Sequence, residues 1–183
     1  MGENFPLLEK IIQKETLYNG SYLDLKKYQV ELPDGRLADR EIVRAPDAVA
    51  ILPVKSNGDV VLVRQHRPAI DRTILEIPAG LVQKGEELES AVIRECEEET
   101  GYKPKCVQKF LTYAHAVGYS TGYVTLFLSD DLEHTGQVNR DSTEFLEIVH
   151  MQFSELQKLV EANKIVDSKT ILSTLLYTKM REE

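Results

Sequence analysis

Residues 80–102 read GLVQKGEELESAVIRECEEETGY. The spacing predicts a helix over about 87–100, with Gly101 as its stop signal. Leu88, Ala91 and Val92 form an apolar stripe at i, i+3 and i+4. Continuing that stripe lands on Glu95, Cys96 and Glu99, with Glu98 at its flank and Glu97 on the outer face. Carboxylates thus stand where a purely structural helix would carry leucine. Burying several ionised carboxylates together is costly unless cations pair with them. Oxygen ligands at this spacing suit a hard divalent ion such as Mg²⁺ or Mn²⁺, and with no His or Cys cluster nearby zinc is disfavoured. A solvated acidic helix is the plain alternative, and the register on the apolar stripe counts against it. Arg94 is placed to orient a neighbouring carboxylate or to offset repulsion among the glutamates.

Working outward, 183 residues at 20.8 kDa favour one compact domain with a short appended element. Hydrophobic residues at 42% and charged residues at 28% describe an ordinary globular chain. Lys plus Arg total 22 against 30 Asp plus Glu, for a formal charge of −8. That balance disfavours a nucleic-acid or anionic-membrane binder, yet leaves room for a phosphate substrate whose charge is neutralised locally by cations. Cys96 and Cys106 are too few for a disulfide framework and are expected to be buried free thiols in a reducing compartment. Phe5–Ile12 is short and interrupted by Pro6, Glu9 and Lys10, so no signal peptide is visible, and no apolar run approaches the ~20 residues that span a bilayer. A cytoplasmic protein is expected.

Residues 20–32 and 36–44 predict a hairpin across Pro33-Asp34-Gly35. A second hairpin joins 48–54 to 60–67 through Ser56-Asn57-Gly58-Asp59. Ile74–Pro78 reads as an extended piece ending in a Pro-Ala-Gly bend. Strands are expected near 106–116, 123–129 and 144–152, then helices beginning near Ser154, as N-cap, and near 168, capped by Asp167 or Ser168. This order implies an α+β layered domain over 46–183, with residues 1–45 as a small β extension.

The helix sits in a longer pattern: Gly80, five residues, Glu86, seven residues, Arg94-Glu95, two residues, Glu98-Glu99, one residue, Gly101. This resembles the Nudix box, the signature of hydrolases acting on nucleoside diphosphates linked to another moiety. Arg40-Glu41-Ile42-Val43, Gln65-His66-Arg67-Pro68 and Glu76-Ile77-Pro78-Ala79-Gly80 extend the resemblance to the branch of ADP-ribose pyrophosphatases and nucleoside diphosphate sugar hydrolases. The resemblance implies an α/β/α sandwich with a mixed sheet and Mg²⁺-dependent cleavage of a pyrophosphate bond. It implies Glu95, Glu99, Glu98 and the Ala79 carbonyl as metal ligands, with Glu98, Glu95 and Arg94 as the catalytic group. Arg67, Arg40, Glu76 and Tyr119 would bind substrate, and Glu86 would support the loop. It also implies a homodimer exchanging its N-terminal strands, with Arg40 serving the partner subunit's site.

Three features depart from that pattern. Cys96 and Tyr102 replace aliphatic residues of the box, a change that packing tolerates. Val117 stands where the branch carries proline. Gly122 stands where it carries a loop glutamate, which leaves Glu98, Glu144 and Asp141 as candidate bases. Tyr119 matches a base-stacking tyrosine of the dinucleoside-polyphosphate branch. The alternatives to ADP-ribose hydrolysis are therefore dinucleoside polyphosphate hydrolysis and a catalytically weak, nucleotide-sensing domain. His66 is a further candidate for the nucleotide pocket.

Overall fold

A computed structural model of the chain describes residues 7–140 and 145–182. Two compact units result, one from the chain up to Asp47 with Ala114–Tyr123, the other from Ala48–Tyr113 with the chain from Val124 onward.

The first unit is built on an antiparallel sheet ordered β1-β2-β3, from Lys10–Asn19 (β1), Asp24–Glu31 (β2) and Leu37–Arg44 (β3). The β2–β3 turn closes through the Gly35 N–H on the Leu32 carbonyl at 2.9 Å, as its sequence predicts. Strand β1 is an addition to the predicted hairpin. All ten of its residues are exposed, and its register shifts twice, so no buried face imposes the alternation that reveals a strand. The 114–123 segment joins this unit through Val43, whose N–H donates to the Tyr119 carbonyl at 2.7 Å and whose carbonyl accepts from Thr121 N–H at 3.0 Å.

The second unit carries the mixed sheet. Its order is β7-β4-β10-β9, from Ala48–Pro53 (β4), Ala79–Leu81 (β7), Gln108–Ala114 (β9) and Tyr123–Ser129 (β10). Strand β4 runs parallel to β10 and antiparallel to β7. A second sheet, ordered β12-β5-β6, comes from Asp59–Arg67 (β5), Arg72–Glu76 (β6) and Leu146–Gln152 (β12). Tyr102–Pro104 (β8) and Leu132–His134 (β11) form a two-stranded ribbon. Among the described residues the α-helices are Leu88–Thr100 (α1), between β7 and β8, and Phe153–Glu161 (α2) and Ser168–Glu182 (α3), both after β12.

Alternation along β4 builds two cores. Val49 and Ile51 pack with Ala91, Val92 and Cys96 of α1 and with Phe127. Ala50 and Leu52 pack with Leu126, Leu128, Phe153 and Leu156, and with Ile171 and Leu172 of α3. A strand covered on both faces needs an apolar run, and Val49–Pro53 is buried throughout. Helices therefore lie on both sides of the mixed sheet, the expected α+β layering. Among the described residues, no helix is long and apolar enough to cross a membrane.

Several local expectations are corrected. The chain does not simply bend after Pro78: it resumes as β7, which pairs with β4. Helix α2 starts one residue before Ser154, with Gln152 at its cap position and no side-chain cap bond, because Phe153 is drawn into the core at 3% exposure. Asp167 caps α3, accepting the Thr170 N–H at 3.0 Å. Cys96 is buried but Cys106 is exposed, since it lies in the link between β8 and β9 rather than inside a strand.

Thr170 is fully buried. Its hydroxyl accepts the Ile77 N–H at 2.9 Å and donates to Asp167 Oδ2 at 2.5 Å, tying α3 to the end of β6. Thr170→Val keeps the volume and leaves the Ile77 N–H without an acceptor. It is expected to cost about 1–3 kcal/mol, read as a lower urea midpoint at unchanged slope. A wild-type midpoint would remove this bond from the account of the fold.

Candidate active site

Helix α1 owes its position to Ala91, Val92 and Cys96, which are fully buried against the sheet. It ends at Gly101, whose φ of 72° is the left-handed conformation that caps helices, with its N–H on the Glu97 carbonyl at 2.8 Å. Burial raises the Cys96 thiol to about 12, so it stays neutral and serves packing.

With that face fixed, Glu95 and Glu99 project one turn apart toward the same short piece of backbone. Glu99 is 4% exposed and accepts the Ala79 N–H at 3.1 Å. A methyl group on Gly80 would overlap the Glu95 carboxylate, so a side chain there would push Glu95 out of its present place. Strand β7 holds Ala79 and Gly80 in place by pairing with β4. Two carboxylates and the peptide groups at Ala79–Gly80 thus form an all-oxygen acceptor set. Among the described residues, no three His, Cys, Asp or Glu side chains form a ready-made ion cage.

Arg94 organises the loop before the helix. Its Nε and Nη2 donate to Glu86 at 2.8 and 2.9 Å, and Nη1 donates to Glu95 at 2.6 Å and Glu98 at 3.2 Å. Glu86 also accepts the Gln83 N–H at 3.0 Å. The Arg94 guanidinium holds Glu86 down at about 2, and Glu86 in turn raises Arg94. Glu98 and Arg94 line an open recess of about 410 Å³ with Ser90, Ile93, Gln137 and Asn139. Glu97 faces this recess too and pairs with Lys103 at 3.3 Å. It is therefore a half-buried ion-pair member rather than the fully solvated residue expected from the helical wheel.

A second charged group flanks the first. Arg67, at the end of β5, grips Glu76 of β6 with Nε at 2.6 Å and Nη2 at 2.8 Å. Glu76 is 1% exposed, while the Arg67 side chain is 42% exposed. Burial pushes the Glu76 carboxyl up, and Arg67 with Lys169 more than offsets this, leaving it below the ordinary carboxylate range. The Glu76 bond raises Arg67, with smaller contributions from Asp167 and Glu99. Arg67 is thereby within electrostatic reach of Glu99. Lys169 donates to both Glu76 and Asp167.

The structure thus gathers Arg67, Glu76, Ala79, Arg94, Glu95, Glu98 and Glu99 within the second unit. Arg40 and Tyr119 belong to the first unit. There Arg40 is paired with Glu9 through Nε at 3.0 Å and Nη2 at 2.5 Å, and Tyr119 is 57% exposed. At Gly122 an added Cβ would lie 3.0 Å from the Pro46 carbonyl oxygen, so the backbone crowds the place where a glutamate was sought. Asp141 and Glu144 lie outside the described residues. His66 lines an open cleft with Arg64, Thr73 and Phe145. Sequence reasoning missed Lys169, whose one signal is a cation just after a capping aspartate. It also missed Arg140, which donates to the Glu99 carbonyl at 3.0 Å and the Leu146 carbonyl at 2.8 Å.

A family model described as the NUDIX domain matches residues 44–172. The chain is 39% identical over 177 residues to an ADP-ribose pyrophosphatase of Bacillus subtilis (strain 168), covering 96% of this chain and 95% of that protein. It is 32% identical over 183 residues to the methanol dehydrogenase activator of Bacillus methanolicus, covering 100% and 97%. The crystal structure of an ADP compounds hydrolase shares the fold with a TM-score of 0.85 at 20% identity, over 95% of this chain and 94% of that one. The carboxylate helix lies inside the matched span, and the chain belongs to the Nudix family.

Proposed function

We propose that the chain is a pyrophosphohydrolase that cleaves ADP-ribose to AMP and ribose 5-phosphate, or cleaves a related nucleoside diphosphate sugar. The observation that carries this reading is the convergence of Glu95 and Glu99 on Ala79–Gly80, with the half-exposed Arg67 guanidinium within electrostatic reach of Glu99. Such an arrangement concentrates negative oxygens where a cation is needed and sets a phosphate-binding donor next to it.

Hydrolases of this family generally use divalent metals. The residues present fit Mg²⁺ or Mn²⁺: Glu95, Glu99 and the Ala79 carbonyl offer oxygen only, Glu98 stands alongside, and the missing Cβ at Gly80 leaves the room Glu95 occupies. When bound, the metal supplies a Lewis acid that neutralises charge on the diphosphate. Arg67 holds anionic oxygens through the edge of its guanidinium that faces away from Glu76. Arg94 fixes the Glu86 loop to α1 and steadies Glu95. The proton of the attacking water goes to a carboxylate, for which Glu98 is the described candidate.

The first unit, residues 1–45 in the main, serves dimerisation, and residues 46–183 carry the chemistry. Strand β1 exposes Ile11, Ile12, Leu17 and Tyr18, and among the described residues it pairs only with β2. An open strand edge with exposed apolar side chains is covered when a second copy exchanges strands with it. Nucleotide chemistry and two free thiols accord with a cytoplasmic location.

Three outcomes are expected. With Mg²⁺, ADP-ribose or a sugar nucleotide is cleaved, chelation abolishes cleavage, and Glu99→Gln lowers kcat about 100-fold or more, as losing an electrostatic contact to developing charge does. Near-normal turnover in that variant sinks the metal assignment. Secondly, the depressed Glu86 pKa makes its contribution to stability complete above 4.5 and lost as pH falls toward about 2. Glu86→Gln should flatten acid unfolding across that window, and an unchanged acid curve would refute the pairing. Thirdly, light scattering after size exclusion should give the mass of two chains, and removal of residues 1–19 should give one. A monomeric full-length chain overturns the dimer.

A further inference from the structure

The buried Glu76 carboxylate is held by two cations where one would neutralise it. Arg67 alone supplies a bidentate pair, which satisfies both oxygens. Lys169 nevertheless donates to Glu76 as well, and reaches Asp167 at 2.8 Å. Its side chain is only 12% exposed. It also stands in the first turn of α3, where the positive end of the helix dipole disfavours a cation, and that turn carries no acidic residue. A lysine placed against the dipole and largely buried is not there to stabilise its helix.

We propose that Lys169 is a positioning residue for Arg67, holding part of the Glu76 charge so that the Arg67 charge is left to attract a nucleoside diphosphate. This rests on the hydrolase reading above. Arg67 and Lys169 balance Glu76 and Asp167, giving a cluster of zero net charge. Arg67 spends Nε and Nη2 on Glu76, and Nη1 has no partner among the described residues. Removing the lysine charge leaves the cluster at −1, with Glu76 answering Arg67 in full and Asp167 without its cation. A diphosphate would then meet a net negative surface beside Glu99. Lys169 itself stays off the substrate, because its Nζ is committed to two carboxylates.

The test compares Lys169→Met and Lys169→Arg with the wild type in Mg²⁺-supported kinetics on ADP-ribose. ADP binding and the Arg67 Nε–H signal are followed by NMR. Loss of the charge is expected to raise KM and the ADP dissociation constant about tenfold, the scale of one charge acting over roughly 12 Å near a protein surface. Turnover should change little, the Arg67 signal should shift, and Lys169→Arg should restore most of the binding. If Lys169→Met binds ADP as the wild type does, or if both variants lose only stability and kcat while the Arg67 signal stays put, the positioning role is wrong. A wild type that binds ADP without hydrolysing any substrate removes the hydrolase reading alone, and the ADP comparison still decides the role of Lys169. A wild type that binds none of ADP, GDP and UDP removes both.

Discussion

The close approach of α1 to the Ala79–Gly80 backbone is the constraint on which the site depends. Glu99 is buried against the Ala79 N–H, and the Glu95 carboxylate fills the space a side chain on residue 80 would need. This contact requires β7 to be a strand rather than a loop, because only its pairing with β4 holds the backbone still enough. It also requires α1 to be seated by Ala91, Val92 and Cys96, small and medium side chains that let the helix come close to the sheet. Two carboxylates held this close need compensating partners, and Arg94 on Glu95 and the Ala79 N–H on Glu99 supply them.

Arg94 and Lys169 show how an acidic chain manages an anionic substrate. The net charge of −8 argues against attraction at long range. Near the site, each guanidinium or ammonium is assigned to named carboxylates at hydrogen-bond distance, so the local field is set by pairs rather than by totals. Arg94 spends its donors on Glu86, Glu95 and Glu98, which makes it a structural clasp. Arg67 spends two donors on Glu76 and faces solvent with the rest.

The helix and its carboxylates were legible in the sequence because all of them lie within one turn or two of each other, where periodicity assigns faces directly. The same reasoning failed for Glu97, since the helical wheel knows nothing of Lys103, which arrives from β8 to half-bury it. Strand β1 was hidden because no buried face disciplines its pattern. The Arg67–Glu76–Lys169 group was legible only in part. Arg67 and Glu76 lie nine residues apart and were carried by the family resemblance, whereas Lys169 is 93 residues from Glu76 and only the folded chain brings them together. At Gly122, which the family pattern marks as the place of a loop glutamate, an added Cβ would press on the Pro46 carbonyl oxygen, a neighbour distant in the sequence.

Strand β4 divides the interior by parity. Its odd-numbered side chains, Val49 and Ile51, bear on the helix that holds the carboxylates, and its even-numbered ones, Ala50 and Leu52, bear on the opposite helical layer. Sequence drift along this one strand is therefore sorted into two separate economies. Changes of volume at odd positions displace the chemistry by fractions of an ångström, because close-packed interiors transmit strain. Changes at even positions fall on the α2–α3 layer, and reach the site only through Ile77, Ala79 and Lys169. One six-residue strand thus carries two faces with different duties, the odd one seating the carboxylate helix directly and the even one bearing on the helices behind it.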